Sequence, residues 1–158
     1  METDLAYAAG LIDGEGTIVI EKATHDAPWV ENSKRQYLRR RKHNGTRYRT
    51  HVTITITKRA VCDWMEERFG GHIYVEGRRA ANRGHSDVWI WRVTGDNASV
   101  FLGLIRPYLV LKGEQADNAI EFQKGVMTLR RKPLTDEELA VREACYLTQK
   151  ALNKRGPN

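Results

Sequence analysis

The stretch Tyr7 to Gly16, reading Tyr-Ala-Ala-Gly-Leu-Ile-Asp-Gly-Glu-Gly, constrains this chain more than any other. The small residues Ala8, Ala9, Gly10 and Gly14 let a helix approach another backbone closely. Gly14 and Gly16 release the chain from helix and aim the Glu15 carboxylate off its C-terminal end. A carboxylate just past a helix C-terminus lies at the negative pole of the helix dipole and invites a cation, which a divalent metal would supply. Leu5 to Asp13 thus predicts a first helix, begun by a Thr3 or Asp4 cap. It is apolar on nearly all sides, so something must cover its second face.

The rest of the chain reads as strands and helices in a simple order. Thr17 to Lys22 sets Ile18 and Ile20 against Thr17, Val19 and Glu21, the alternation of a half-buried strand. Residues 23–35, with Pro28, read as a loop, and Gln36 to Arg49 as a basic hairpin or arm turning at Asn44-Gly45. His51 to Thr57 is the clearest strand, with Val52, Ile54 and Ile56 on one face and His51, Thr53, Thr55 and Thr57 on the other. Arg59 to Phe69 has a helical pattern (Val61, Trp64, Met65, Phe69) that Gly70-Gly71 ends. Ile73 to Val75 and Val88 to Val93 are strands around a basic loop from Gly77 to Ser86. Asn97 is placed to cap a helix through Leu104, broken near Pro107, and Glu114 to Val126 is a further helix with Ala116, Ala119 and Ile120 as its stripe. After a linker at Arg130-Arg131-Lys132-Pro133, Thr135 and Glu138 form a capping box opening a last helix to about Lys154, with Leu139, Ala140, Ala144, Leu147 and Ala151 for docking.

Length and charge narrow the partners. A chain of 158 residues suits one domain over residues 1–158, with 131–158 as a C-terminal linker and helix. The 26 Lys and Arg against 20 Asp and Glu leave a formal charge of +6, which favours an acidic partner, nucleic acid first. The charge is local. Residues 1–33 hold seven acids and the single base Lys22, whereas residues 34–51 hold eight bases and no acid. Cys62 and Cys145 have no CxxC spacing and the histidines no metal-ligand spacing, so neither a disulfide framework nor a zinc site is indicated. No apolar run approaches the ~20 residues needed to cross a bilayer, and no signal core is present, so a soluble intracellular protein without a membrane partner is expected.

Residues 8–16 resemble the LAGLIDADG signature of homing endonucleases and intron maturases. Ala8 stands for the first Leu, and Gly14 and Glu15 replace the Ala and second Asp. The resemblance implies an α+β fold, an α-β-β-α-β-β-α saddle whose concave antiparallel sheet lies on DNA, and the element order read above matches it, with extra C-terminal helices. Only one copy of the motif occurs. Single-motif members of that family act as homodimers, which implies that Tyr7, Gly10, Leu11 and Gly14 pack against a twin helix, with Leu111 beside them.

The implied activity is site-specific double-strand cleavage of a long pseudo-palindromic DNA target across the minor groove, leaving short 3′ overhangs. Glu15 and the Gly14 carbonyl would hold Mg²⁺ through hard oxygen ligands. Pro107-Tyr108-Leu109-Val110-Leu111-Lys112 matches a family segment whose lysine reaches the active site, so Lys112 is a candidate to offset phosphate charge or order the attacking water. Lys58 and Cys62 align with a polar and a basic position of well-known members, and Lys58 can still meet a phosphate. Arg39, Arg40, Arg41, Lys42, Arg79 and Arg83 suit DNA phosphates, and Gln36, Arg47, Arg49, Thr53, Thr55 and Arg78 suit base edges. The alternative on the same scaffold is an RNA-binding maturase or a DNA-binding protein that does not cut.

Overall fold

A computed structural model describes residues 1–23, 46–75, 87–128 and 135–154. The elements are α1 (Glu2–Glu15), β1 (Gly16–Ala23), β2 (Arg47–Ile56), α2 (Arg59–Phe69), β3 (His72–Val75), β4 (Trp89–Thr94), α3 (Asp96–Ile105), a 3₁₀ turn (Arg106–Tyr108), α4 (Gly113–Thr128) and α5 (Asp136–Leu152). The expected α-β-β-α-β-β-α order is present, followed by two further helices. The strands form one antiparallel sheet in the order β1-β2-β4-β3, so β2 and β4 are central.

Alternation decides which face of the sheet the helices cover. Ile18, Ile20, Val52, Ile54, Trp91 and Val93 are buried, and the register places Ile18 opposite Val52, Val52 opposite Val93, and Ile54 opposite Trp91. Most of them join Ala8, Ala9, Ile12, Met65, Phe101, Leu102, Ile105, Ala116 and Ala119 in one core. Fully burying each large side chain contributes about 1.5–3 kcal/mol relative to exposure, so this face anchors the fold. Trp91 is fixed at its polar end as well, donating from Nε1 to the Gly70 carbonyl at 2.8 Å. The turn that brings that carbonyl close requires glycine. Gly71 has φ +96°, and a Cβ there would lie 2.7 Å from the Arg92 carbonyl oxygen.

Several local expectations give way to tertiary contacts. The first helix starts at Glu2 with Met1 as its N-cap and no side-chain cap. Asp4 lies inside its first turn and pairs with Arg68 of α2 at 3.1 Å. At the other end the helix runs through Gly14 and Glu15, and the chain leaves it at Gly16. The cap of α3 is Gly95 at φ 62°, not Asn97, because the Gly95 amide donates to the Thr50 carbonyl at 2.8 Å and turns the chain out of β4.

The last helix has its capping box between Thr135 and Glu138, but it docks on another face than expected. Of the expected docking residues Leu139 is half-buried, whereas Ala140, Ala144 and Ala151 are exposed and Leu147 is 53% exposed. The docked side mixes aromatic and amide contacts: the Tyr146 ring lies 6.1 Å from that of Tyr48, and buried Gln149 and exposed Asn153 both donate to the Ile18 carbonyl of edge strand β1, at 2.8 and 2.9 Å. Asn118 of α4 donates to the Cys145 carbonyl and to Gln149. An edge strand exposes unpaired backbone groups, and amide side chains satisfy them where an apolar stripe would not. Glu143 adds an ion pair with Lys22 of β1 at 2.7 Å and accepts from the Tyr48 hydroxyl.

Candidate active site and nucleic-acid interface

The C-terminal turn of α1 meets the segment after the 3₁₀ turn. That segment is held from behind, because Leu109 is buried and Arg106 makes a bidentate pair with Asp117 of α4 at 2.6 and 2.7 Å. Arg106 keeps the Asp117 carboxyl below its ordinary range. Ahead of it, the Asp13 carboxylate accepts the backbone N–H groups of Val110, Leu111 and Lys112 at 2.7, 3.2 and 3.0 Å. In return the Lys112 ammonium donates to the carbonyls of Ile12, Asp13 and Gly16 at 2.6, 2.8 and 2.8 Å. Burial draws the Lys112 pKa below its ordinary value, against the pull of Asp13 and Glu15. The resemblance offers Lys112 to a phosphate or to the attacking water; in the structure its ammonium lies on carbonyls of the last turn of α1 and of Gly16 just beyond it.

Glu15 is exposed on the last turn of that helix, next to exposed Gly14. The Gly14 carbonyl is not among the three that Lys112 takes. Gly16, by contrast, is enclosed: a Cβ there would lie 2.7 Å from Ile12 Cα and 2.8 Å from the Ile12 carbonyl oxygen. The exit from helix to strand is therefore tight, and it pairs Gly16 with Ile54 at the end of β2. Lys58, exposed at the N-cap of α2, lies at this same end of the sheet. Cys62 is fully buried in the core, so its position offers nothing to the site. Burial raises its thiol pKa. Among the described residues no group of three or more His, Cys, Asp or Glu side chains could hold a metal.

Two faces of α1 contrast. Ala8, Ala9 and Ile12 are buried against the chain's own core. On the opposite face Tyr7 is 52% exposed, Gly10 and Gly14 are exposed and Leu11 is half-buried. Added Cβ atoms at Gly10 and Gly14 would meet nothing within 4 Å. Nothing among the described residues therefore requires glycine there for space. Leu111 and Val110 extend this exposed apolar surface, 72% and 86% exposed.

The sheet face away from the helices carries a different chemistry. Register brings Thr17, Val19 and Glu21 of β1 beside Thr53, His51 and Arg49 of β2. These lie beside Arg92 and Thr94 of β4, with Thr55 opposite Ile90 and His72 opposite Arg92. Thr17 and Thr53 share a hydroxyl hydrogen bond at 3.0 Å, and Arg49 donates to the Thr94 hydroxyl at 2.8 Å. Arg92 lies over the Tyr74 ring at 5.8 Å, and its buried Nε has no partner among the described residues. His51 lies 3.8 Å from Glu21, but burial first, and then Arg92 and Arg49, hold its pKa below the ordinary value.

Of the DNA-contact candidates, the structure brings Arg47, Arg49, Thr53 and Thr55 onto this one face. Gln36, Arg39, Arg40, Arg41, Lys42, Arg78, Arg79 and Arg83 lie outside the described residues. Sequence reasoning passed over Arg92, Thr17, Thr94 and Tyr74. The signal for Arg92 was present as a lone charge alternating with Trp91 on a strand of apolar residues.

No protein-family model matches the sequence, and no curated protein matches it. Solved structures do match its fold. The homing endonuclease I-CvuI, in complex with the I-CreI target in the presence of Mg, superimposes over 99% of this chain and 86% of its own at 18% identity, with a TM-score of 0.70. The archaeal intron-encoded homing endonuclease I-Vdi141I, complexed with DNA, matches over 99% and 88% at 16% identity, with a TM-score of 0.72. The LAGLIDADG homing endonuclease I-SmaMI bound to cleaved DNA matches 98% of this chain but 46% of its own, at 14% identity and a TM-score of 0.68. The chain has the LAGLIDADG homing-endonuclease fold.

Proposed function

We propose that the chain is a homing-type DNA endonuclease of the LAGLIDADG family that works as a homodimer with Mg²⁺. The observation that carries this reading is the convergence at one end of α1. Exposed Glu15 follows directly on an open Tyr7-Gly10-Gly14 face, beside a sheet whose free face presents arginines and hydroxyls. Matches to DNA complexes favour duplex DNA over RNA.

The donor set suits a hard cation: an exposed carboxylate at Glu15 and the carbonyl that Lys112 leaves at Gly14. Bound there, Mg²⁺ would lower the pKa of a water and offset charge on the scissile phosphate. Packing of Tyr7, Gly10, Leu11, Gly14 and Leu111 on their twins brings the second Glu15 to the same place. Lys58 meets a phosphate at the β2–α2 junction. Gln36, Arg47, Arg49, Thr53, Thr55 and Arg78 read base edges, while Arg39, Arg40, Arg41, Lys42, Arg79 and Arg83 neutralise phosphates. The target is long and pseudo-palindromic, and cuts across the minor groove leave short 3′ overhangs.

The test is cleavage of a duplex library of intron-insertion sites with and without Mg²⁺. Wild type cuts a site, and Glu15→Gln binds the same duplex without cutting it. Undiminished cutting by Glu15→Gln would refute the assignment of the acid. A second reading, a DNA-binding protein that does not cut, draws on buried Cys62 and engaged Lys112. Salt-sensitive binding with no Mg²⁺-dependent cleavage of the bound site by wild type would select it.

A further inference from the structure

We propose that Asp13 and Lys112 form a reciprocal latch that positions Glu15 and the Gly14 carbonyl for the metal, and that Lys112 acts through this latch and not on the phosphate. The inference rests on the metal reading above. Its basis is hydrogen-bond capacity. An ammonium has three donors and no acceptor, and Lys112 directs all three to the carbonyls of Ile12, Asp13 and Gly16 within 2.8 Å. Donating to a phosphate or water would break one of these.

The two side chains cross. Asp13, from α1, binds the backbone of residues 110–112, and Lys112, from that segment, binds the backbone of residues 12–16. Each charge also suits its place: the ammonium lies at the negative pole of α1, where a cation is favoured, and the carboxylate gathers three consecutive N–H donors. The latch has something to hold. Gly14 makes the last turn of α1 prone to fraying, since glycine is among the weakest helix formers and no neighbour among the described residues would contact a Cβ there. Glu15 and Gly14 are orientated by that turn, so pinning its ends fixes the two proposed ligands. Asp13 and Lys112 are positioning residues.

The experiment titrates Mn²⁺ into the protein with a mixed-sequence duplex and reads free ion by electron paramagnetic resonance. Hydrogen exchange of the Val110, Leu111 and Lys112 amides is followed in parallel. Partners that orientate metal ligands typically change affinity about 10- to 100-fold. Asp13→Asn and Lys112→Met should each weaken Mn²⁺ binding by about that factor, and the double variant no more than the worse single one, since both open one latch. Amide exchange at residues 110–112 should quicken in Lys112→Met. Should that variant fail to fold, Lys112→Arg decides: it keeps the charge but its planar fork does not fit three converging carbonyls, so it should bind Mn²⁺ as weakly as the others. A phosphate-neutralising lysine would be rescued by arginine. Wild-type Mn²⁺ affinity and unchanged exchange in Lys112→Met overturn the latch. If instead Glu15→Gln removes no Mn²⁺ site, the metal reading has failed, and the amide exchange still judges the latch.

Discussion

Gly10 separates what the monomer needs from what a dimer needs, because the two predict changes of opposite sign. It lies within α1, exposed, with nothing among the described residues within 4 Å of an added Cβ. Within one chain, Gly10→Ala therefore gains helix propensity without a clash, about 1 kcal/mol, or roughly 2–4 °C in Tm for a chain of this size. If the Tyr7-Gly10-Gly14 face meets its twin across a two-fold axis, the same methyl enters the contact twice. Overpacking costs about 1–3 kcal/mol per site, so association weakens by at least about 2 kcal/mol, roughly 30-fold. Sedimentation over a dilution series measures association, and thermal melts at the lowest concentration measure the monomer. Gly125 on α4 is also exposed, with no described residue within 4 Å of an added Cβ, so Gly125→Ala should raise Tm and leave association alone. A Gly10→Ala protein that gains stability and dimerises as tightly as wild type would remove this face from the interface.

Other outcomes follow from the same contacts. Replacing Arg92 with Ala should weaken duplex binding and lower the slope of log K against log salt by about 0.9 if it neutralises one phosphate; an unchanged slope would take Arg92 off the DNA. Gly16→Ala places a Cβ 2.7 Å from Ile12 Cα, and denaturant titration should show a loss of about 1–3 kcal/mol; full stability would mean the helix exit is looser than described. Lys22 first, and then Tyr48, hold the Glu143 pKa below its ordinary 4.5. The contribution to folding is therefore complete above pH 4.5 and is lost as pH falls through the lower, folded-state value. Amide exchange in α5 should rise over that acid window in wild type and lose this pH dependence in Glu143→Gln.

Where pattern and packing ask for the same thing, the sequence reads well. Arg59 to Phe69 is the helix expected because its apolar spacing and the Gly70-Gly71 stop agree, and the β2 alternation states its own two faces. α5 was misread for a physical reason. Ala140, Ala144, Leu147 and Ala151 form a fair apolar stripe, but the surface available to the helix is α4 and the edge of β1, whose Ile18 carbonyl needs donors. Periodicity registers which residues avoid water and is blind to which backbone groups lack a partner.

The same blindness explains the two acids of the opening motif. Along the sequence Asp13 and Glu15 look alike, two carboxylates bracketing a glycine near a helix end. In the fold they separate by one criterion, the donors within reach. Asp13 faces three backbone N–H groups of residues 110–112 and is satisfied by the chain itself. Glu15 lies exposed on the same turn. A carboxylate whose oxygens are filled by backbone donors has little left to offer a cation, whereas an exposed one beside a carbonyl that Lys112 does not take can accept one. The resemblance covers both positions, but only the long-range contact, about one hundred residues away in the chain, shows that the first is engaged by the chain's own backbone while the second stays exposed.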